Sequence, residues 1–289
     1  MKTKKEIKKN KKMEPTITTN SQTTQQKKIK IYWDIDDVII ESLRAIYDNL
    51  LNFKYDSNPL MQAIDWPSDE VLTELINDPN KGFYSHKDWN MRCIARNLNT
   101  EAIDYMFTSK IFWDTVKINP AVIDMVKNGT IGTNGIYDNY FITKGGDNHG
   151  IEKKKFLNDH SQCEGDLEGF FDENKYTCYH HGHDKSETDM SLSEEDKKDG
   201  YIGTIQIDDN LRNLVKGNAD IKILVKNLIE TEYNTGLNSC KNKNSSSVYN
   251  DYVPTMDNLY IVNDMYDVKE LLEKLQDSED FRDVFFNKY

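Results

Sequence analysis

Cysteine is scarce in this chain and poorly placed for joint work. Cys93, Cys163, Cys178 and Cys240 lie far apart, and no C-x-x-C pair occurs. That usage argues against a disulfide framework or a cysteine-ligated zinc centre and fits single thiols in a reducing compartment, so a cytoplasmic location is expected. Long apolar runs are also missing. Nothing approaches the roughly 18 consecutive apolar residues that a membrane span requires, and the first residues hold no signal-peptide core, so no membrane partner is expected. The glycines of "KGGDNHG", residues 144–150, do not form G-x-G-x-x-G. Their simplest use is a turn with positive φ.

Positive charge is short everywhere except at the start. The chain has 289 residues and a net charge of −12, but residues 1–30 hold ten lysines against Glu6 and Glu14, which leaves −20 on the remainder. An acidic body is a poor partner for duplex nucleic acid. Residues 1–27 read as a disordered basic tail, with weak polyanion binding or targeting as the other reading. At about 150 residues per domain, the length suits one large domain or a domain with a sizeable insert.

What is present begins at "KIKIYWDIDDVIIESL", residues 28–43. Ile29, Ile31 and Trp33 alternate with Lys28, Lys30 and Tyr32, which predicts a strand, and "ESLRAIYDNLLN" places Leu43, Ile46, Tyr47, Leu50 and Leu51 on one helical face. Between them stand Asp34, Asp36 and Asp37, with no Gly, Asn or Pro to make the turn. Residues 28–54 therefore open a core domain, and 55–112 read as a helical cap of two or three short helices, capped at Ser68 and Thr100 and rich in Trp66, Phe83, Tyr84, Trp89, Tyr105 and Phe112. Those rings form a small core first, and some of them are candidates to stack on a nucleobase. From 113 to 289 strands and helices alternate, which implies an α/β fold with a parallel sheet, interrupted by polar loops near 186–203 and 234–251.

In an open parallel sheet ligands bind beyond the carboxyl ends of the strands. Three such ends are conspicuous: Asp34 and Asp36, Thr143 and Lys144 after "YFI", and Asp208 and Asp209 after "IQI". Their convergence would gather four carboxylates, which repel one another unless a cation intervenes, and all-oxygen ligands favour Mg²⁺. Residues i and i+2 project to one side of an extended chain, so Asp34 and Asp36 can share one reacting centre, one attacking and the other handling a proton. A calcium loop needs Gly and Glu where Ile39 and Ala45 stand, so it is excluded. His180, His181 and His183 lack a second ligand cluster nearby and read as loop residues rather than a zinc site.

With those residues in order, "DIDDVI", "FIT", the lysine of "HDKSETDMS" and "IQIDDNLRNL" resemble the four motifs of haloacid dehalogenase-like phosphohydrolases. The helical insert and the run from "DKSETDM" to "KILVKNLIETEYN" are similar to the 5'(3')-deoxyribonucleotidases, particularly the phage-type ones. The resemblance spans roughly residues 28–289 without the loops, and it departs from the pattern by about a dozen extra residues near "SLSEEDKKDGYIGT". It implies a Rossmann-like core and a Mg²⁺-dependent phosphatase acting on nucleoside monophosphates. Asp34 would be the nucleophile and a metal ligand; Asp36 the acid and base, with its carbonyl on the metal. Thr143, Lys144 and Lys185 would hold the phosphoryl group, and Asp208 and Asp209 the metal. Lys153 is the alternative phosphate lysine. Another small phosphoester, a nucleic-acid 3'-phosphate, or a binding protein that has lost turnover are the competing readings, and oligomeric state is not legible.

Overall fold

The computed structural model describes residues 27–77, 94–95, 97–132, 135–162, 164–180, 182–225 and 256–278. Strand β1 (Lys28–Trp33) buries Ile29, Ile31 and Trp33 on one face and Tyr32 on the other, as a strand with neighbours on both sides requires. The helix expected after it is two helices, α1 (Ser42–Asp48) and α2 (Leu50–Lys54). Asn49 separates them. Its side-chain amide donates to the Ala45 carbonyl at 2.8 Å and to Thr115 Oγ1 at 2.7 Å, a local alternative to helical bonding.

Among the described residues from 55 to 113 the regular elements are all helices, α3 (Pro59–Gln62), α4 (Asp69–Asn77), α5 (Thr100–Thr108) and α6 (Lys110–Trp113), joined by irregular segments. The cap of α5 is Asn99, whose Oδ1 accepts from the Ala102 amide at 2.8 Å, so the cap falls one residue ahead of Thr100. Met61, Leu72, Ala102, Met106 and Phe112 belong to the same apolar cluster as Ile29, Trp33 and Val38, so this segment shares the core of the sheet instead of holding its own. Phe83, Tyr84 and Trp89 lie outside the described residues, as do the tail 1–26 and the polar loop 234–251.

The alternating part follows as α7 (Pro120–Lys127), β2 (Tyr137–Lys144), α8 (Asp147–His160), β3 (Tyr176–Tyr179), α9 (Glu194–Lys198), β4 (Tyr201–Asp208), α10 (Leu211–Lys216), β5 (Ile221–Val225), β6 (Leu259–Val262) and α11 (Met265–Asp277). The polar stretch 186–203, expected as a loop, is partly folded. Capping boxes at Asp184/Glu187 and Ser193/Asp196 close a 3-10 turn at Lys185–Glu187 and the helix α9, and Met190 between them is fully buried. No helix among the described residues is long and apolar enough to cross a membrane.

The six strands form one parallel sheet in the order β3-β2-β1-β4-β5-β6, a Rossmann-like α/β fold flanked by helices. Chain order reverses direction between β1 and β4. In sheets of this order the crevice outside the carboxyl ends at that switch point is where ligands bind. Asp34 directly follows β1 and Asp208 ends β4, and the Asp34 amide extends their ladder by donating to the Ile207 carbonyl at 2.9 Å.

Candidate active site

The turn after β1 is built by its own carboxylates. Asp37 adopts φ +54°, the left-handed conformation that Asp tolerates better than most residues, and its Oδ1 accepts from the Leu43 amide at 2.9 Å. The Ile35 carbonyl takes the amides of Ile39 and Ile40 at 2.9 and 3.0 Å. Asp37 thus does the work of the absent glycine or asparagine, and its neighbours Asp34 and Asp36 are left for other partners.

Asp34 is 5% exposed, with Oδ1 on the Ile35 amide at 2.6 Å and Oδ2 on Lys185 Nζ at 2.5 Å. The same ammonium reaches Asp208 Oδ2 at 3.2 Å. Burial and the charge of Asp208 push the Asp34 carboxyl up to about 7, against the pull of Lys185. Burial alone would lower Lys185, but Asp208 and Asp34 hold it above the ordinary lysine value, so its ammonium stays charged between them. Asp208 is fixed by the Asn210 amide at 2.9 Å and by Asn213 Nδ2 at 3.0 and 3.1 Å to its two oxygens.

Asp36 faces a different cation. Its Oδ1 accepts from Ser42 Oγ at 2.7 Å and its Oδ2 pairs with Lys153 Nζ, which also donates to Thr143 Oγ1 at 2.8 Å. Burial would raise the Asp36 carboxyl, and Lys153 outweighs it and holds the group below the usual range. Both lysines therefore enter the site: Lys185 backs Asp34 and Lys153 links Asp36 to Thr143. Lys144, next to Thr143, is exposed on the rim.

His149 stands one turn before Lys153 on the same face of α8 and was not expected here. Its ring stacks on Phe107 at 5.1 Å, and burial together with Lys153 pushes it down to about 3, so it is neutral at physiological pH. The i, i+4 spacing of His149 and Lys153 was the available signal. Gly145 and Gly150 are absent from the positive-φ residues, which corrects the expectation for "KGGDNHG". Their need is steric: a Cβ on Gly150 would sit 2.5 Å from Cys178 Sγ, and one on Gly145 would sit 3.0 Å from His149 Nδ1. Without a side chain at Gly150, α8 packs directly against Cys178 of β3.

Asp34, Asp208 and Asp209 each offer an oxygen, all within 4.8 Å of one another and all buried. Burial and the charges of Asp34 and Asp208 hold the Asp209 carboxyl well above its usual value. Three buried carboxylates against one lysine leave a deficit of positive charge that a hard divalent cation could fill, and oxygen-only donors suit Mg²⁺. The Asp36 side chain is outside this group, engaged by Ser42 and Lys153. His180 and His183 pair with Asp147 and Glu187 at 2.8 and 3.0 Å and do not converge; His181 lies outside the described residues.

A cleft of about 270 Å³ opens on this arrangement, lined by Asp34, Asp36, Lys144, Lys185, Asp209 and Arg212 among others. Trp66, Tyr105 and Phe112 do not line it. Phe112 is fully buried, Trp66 Nε1 donates to the Met61 carbonyl at 2.8 Å, and Tyr105 Oη donates to Asp56 at 2.5 Å, so these rings serve packing.

No protein-family model matches the chain, and no curated protein does. Solved structures of similar fold include a haloacid dehalogenase-like hydrolase from Burkholderia xenovorans LB400, at 12% identity and a TM-score of 0.44, covering 84% of this chain and 96% of that one. A haloacid dehalogenase-like family hydrolase from Xanthomonas campestris is also similar, at 15% identity and a TM-score of 0.39, covering 87% and 97%. Similarity at this level carries no argument about chemistry, which rests on the geometry above.

Proposed function

We propose that the chain is a Mg²⁺-dependent phosphatase of the haloacid dehalogenase-like type that hydrolyses nucleoside monophosphates through an aspartyl-phosphate on Asp34. The observation that carries this reading is the division between two adjacent carboxylates. Asp34 opens on the cleft, backed by Lys185 and beside Asp208 and Asp209, while Asp36 is paired with Lys153 and Ser42. Two neighbouring carboxylates held by different partners can divide nucleophilic from acid–base work within one site.

In the first step an Asp34 oxygen attacks phosphorus, the bond to the leaving alcohol breaks, and Asp36 supplies the alcohol with a proton. In the second, Asp36 takes a proton from water as it attacks phosphorus, and the Asp34–phosphorus bond breaks to release phosphate. Lys153 holds Asp36 in the ionised form that the second step needs. An arriving phosphoryl group beside Thr143 competes for the same ammonium, which frees Asp36 to carry a proton in the first. Thr143 and Lys185 position the phosphoryl oxygens, and a divalent cation on Asp34, Asp208 and Asp209 supplies further positive charge when bound.

The test is phosphate release from deoxyribo- and ribonucleoside monophosphates, with and without Mg²⁺, by wild type beside Asp34→Asn. Magnesium-dependent release that disappears in the variant supports the reading and ranks substrates. Equal release by both proteins removes Asp34 as nucleophile, and the assignments built on it fall with it.

A further inference from the structure

Charge at the cleft is arranged in two layers. In the inner layer Asp34 has Lys185 and Asp36 has Lys153, and on the wall Asp184 is paired with Lys216 at 2.6 Å. Two cations lining the same opening have no such partner: among the described residues, neither Lys144 nor Arg212 makes an ion pair, and both side chains are exposed. They come from opposite directions. Lys144 ends β2 and Arg212 lies in the first turn of α10 after β4, and β2 and β4 are the two neighbours of β1, which carries Asp34. The pair therefore brackets the reacting centre, outside the groups that hold a phosphoryl dianion.

On the proposed function, a single phosphate attacked by Asp34 would meet Lys185 at the cleft floor and leave that outer pair unused. Arginine presents a planar fork of donors matched to phosphate oxygens, and two unpaired cations at one mouth in a body of net negative charge are a local reversal of the protein's field. We propose that Lys144 and Arg212 form a subsite for a second phosphate on the substrate. The substrate class is then a phosphomonoester whose leaving group is itself phosphorylated. It is either a nucleoside bisphosphate or an oligonucleotide end in which the next phosphodiester supplies the second anion. This rests on the phosphatase reading of the site and replaces its nucleoside monophosphate with a doubly phosphorylated substrate.

The experiment measures kcat/KM with Mg²⁺ for a deoxynucleoside 5'-monophosphate, the matching 3',5'-bisphosphate and a 3'-phosphorylated dinucleotide, using wild type, Arg212→Gln and Arg212→Lys. Wild type is expected to prefer a doubly anionic substrate, and Arg212→Gln to cut that preference at least about tenfold through KM, the scale of one charge-assisted contact. Arg212→Lys should restore part of it. Which of the two doubly anionic substrates shows the preference identifies its source. Equal kcat/KM on all three substrates, or a preference that Arg212→Gln leaves intact, overturns the subsite while the phosphatase reading stands. Release from none of them by wild type overturns both.

Discussion

At the amino ends of β1, β2 and β4 the sheet opens a cleft of about 630 Å³, more than twice the roughly 270 Å³ at the carboxyl ends. Its charges are settled. Asp138 accepts from Lys175, from Tyr201 Oη at 2.6 Å and from Tyr140 Oη at 3.2 Å, and Lys28 and Lys175 lie over the rings of Tyr201 and Tyr140. Burial would raise the Asp138 carboxyl, but these donors hold it below its ordinary value. At the carboxyl ends the balance runs the other way, with Asp34 and Asp209 raised and carboxylates outnumbering nearby cations. Unmet charge, more than cavity size, marks where a ligand has something to supply.

The comparison can be broken most directly by neutralising one carboxylate at each end. Asp34→Asn should lower kcat/KM on the order of 10⁶-fold, the scale seen when a covalent nucleophile is removed, whereas Asp138→Asn should leave turnover within about twofold. Steady-state assays on both variants decide it, and a large loss in Asp138→Asn would mean the ends are not functionally distinct. Asp36→Asn should cost about 10²- to 10⁴-fold in kcat with little change in KM, as for a group that moves a proton and does not bind. A smaller effect comes from the cation. Mg²⁺ at a hundred times its Kd should stabilise the wild type by about 2.7 kcal/mol in thermal unfolding. That gain should vanish in Asp209→Asn and persist in Asp138→Asn.

The smallest effect carries a sign. A carboxyl lowered in the folded state adds stability that is present above its unfolded value and is lost as pH falls through the folded one. Asp138→Asn should therefore cost on the order of 1 kcal/mol at pH 7, and the difference from wild type should close as pH falls from the unfolded carboxyl value through the lower folded one. Urea midpoints across pH measure it. A difference that stays constant with pH would assign the loss to packing instead.

The sheet and the acidic strand ends were legible in the sequence because each is written in consecutive residues. Period-two apolar positions name β1, and Asp34/Asp36 and Asp208/Asp209 sit directly after their strands. Groups that act across elements were harder to read. Lys185 and Lys153 looked like rivals because a sequence cannot show that one meets Asp34 and the other Asp36 from separate segments. The Asn49 break and the Asn99 cap were decided by side-chain hydrogen bonds that compete locally with the helix pattern. Asp37 was invisible as a turn former because it is the carboxylate among three that takes the left-handed conformation.

The strand order has a consequence for how the protein comes into being. β1 forms from the first described residues, yet in the finished sheet it lies between β2 and β4, and Asp34 is held by an amide bond to Ile207 on the latter. Pairings this distant along the chain pay their loop-closure entropy before they return any contact, so they form late and slowly. Until β4 docks, the apolar β1 has one uncovered edge and Asp34 has neither Asp208 nor Asp209 beside it. The cluster of Asp34, Asp208 and Asp209 is thus complete only once β4 has docked, and on the proposed function the recovery of phosphate release in a refolding experiment would time the closure of the β1–β4 seam.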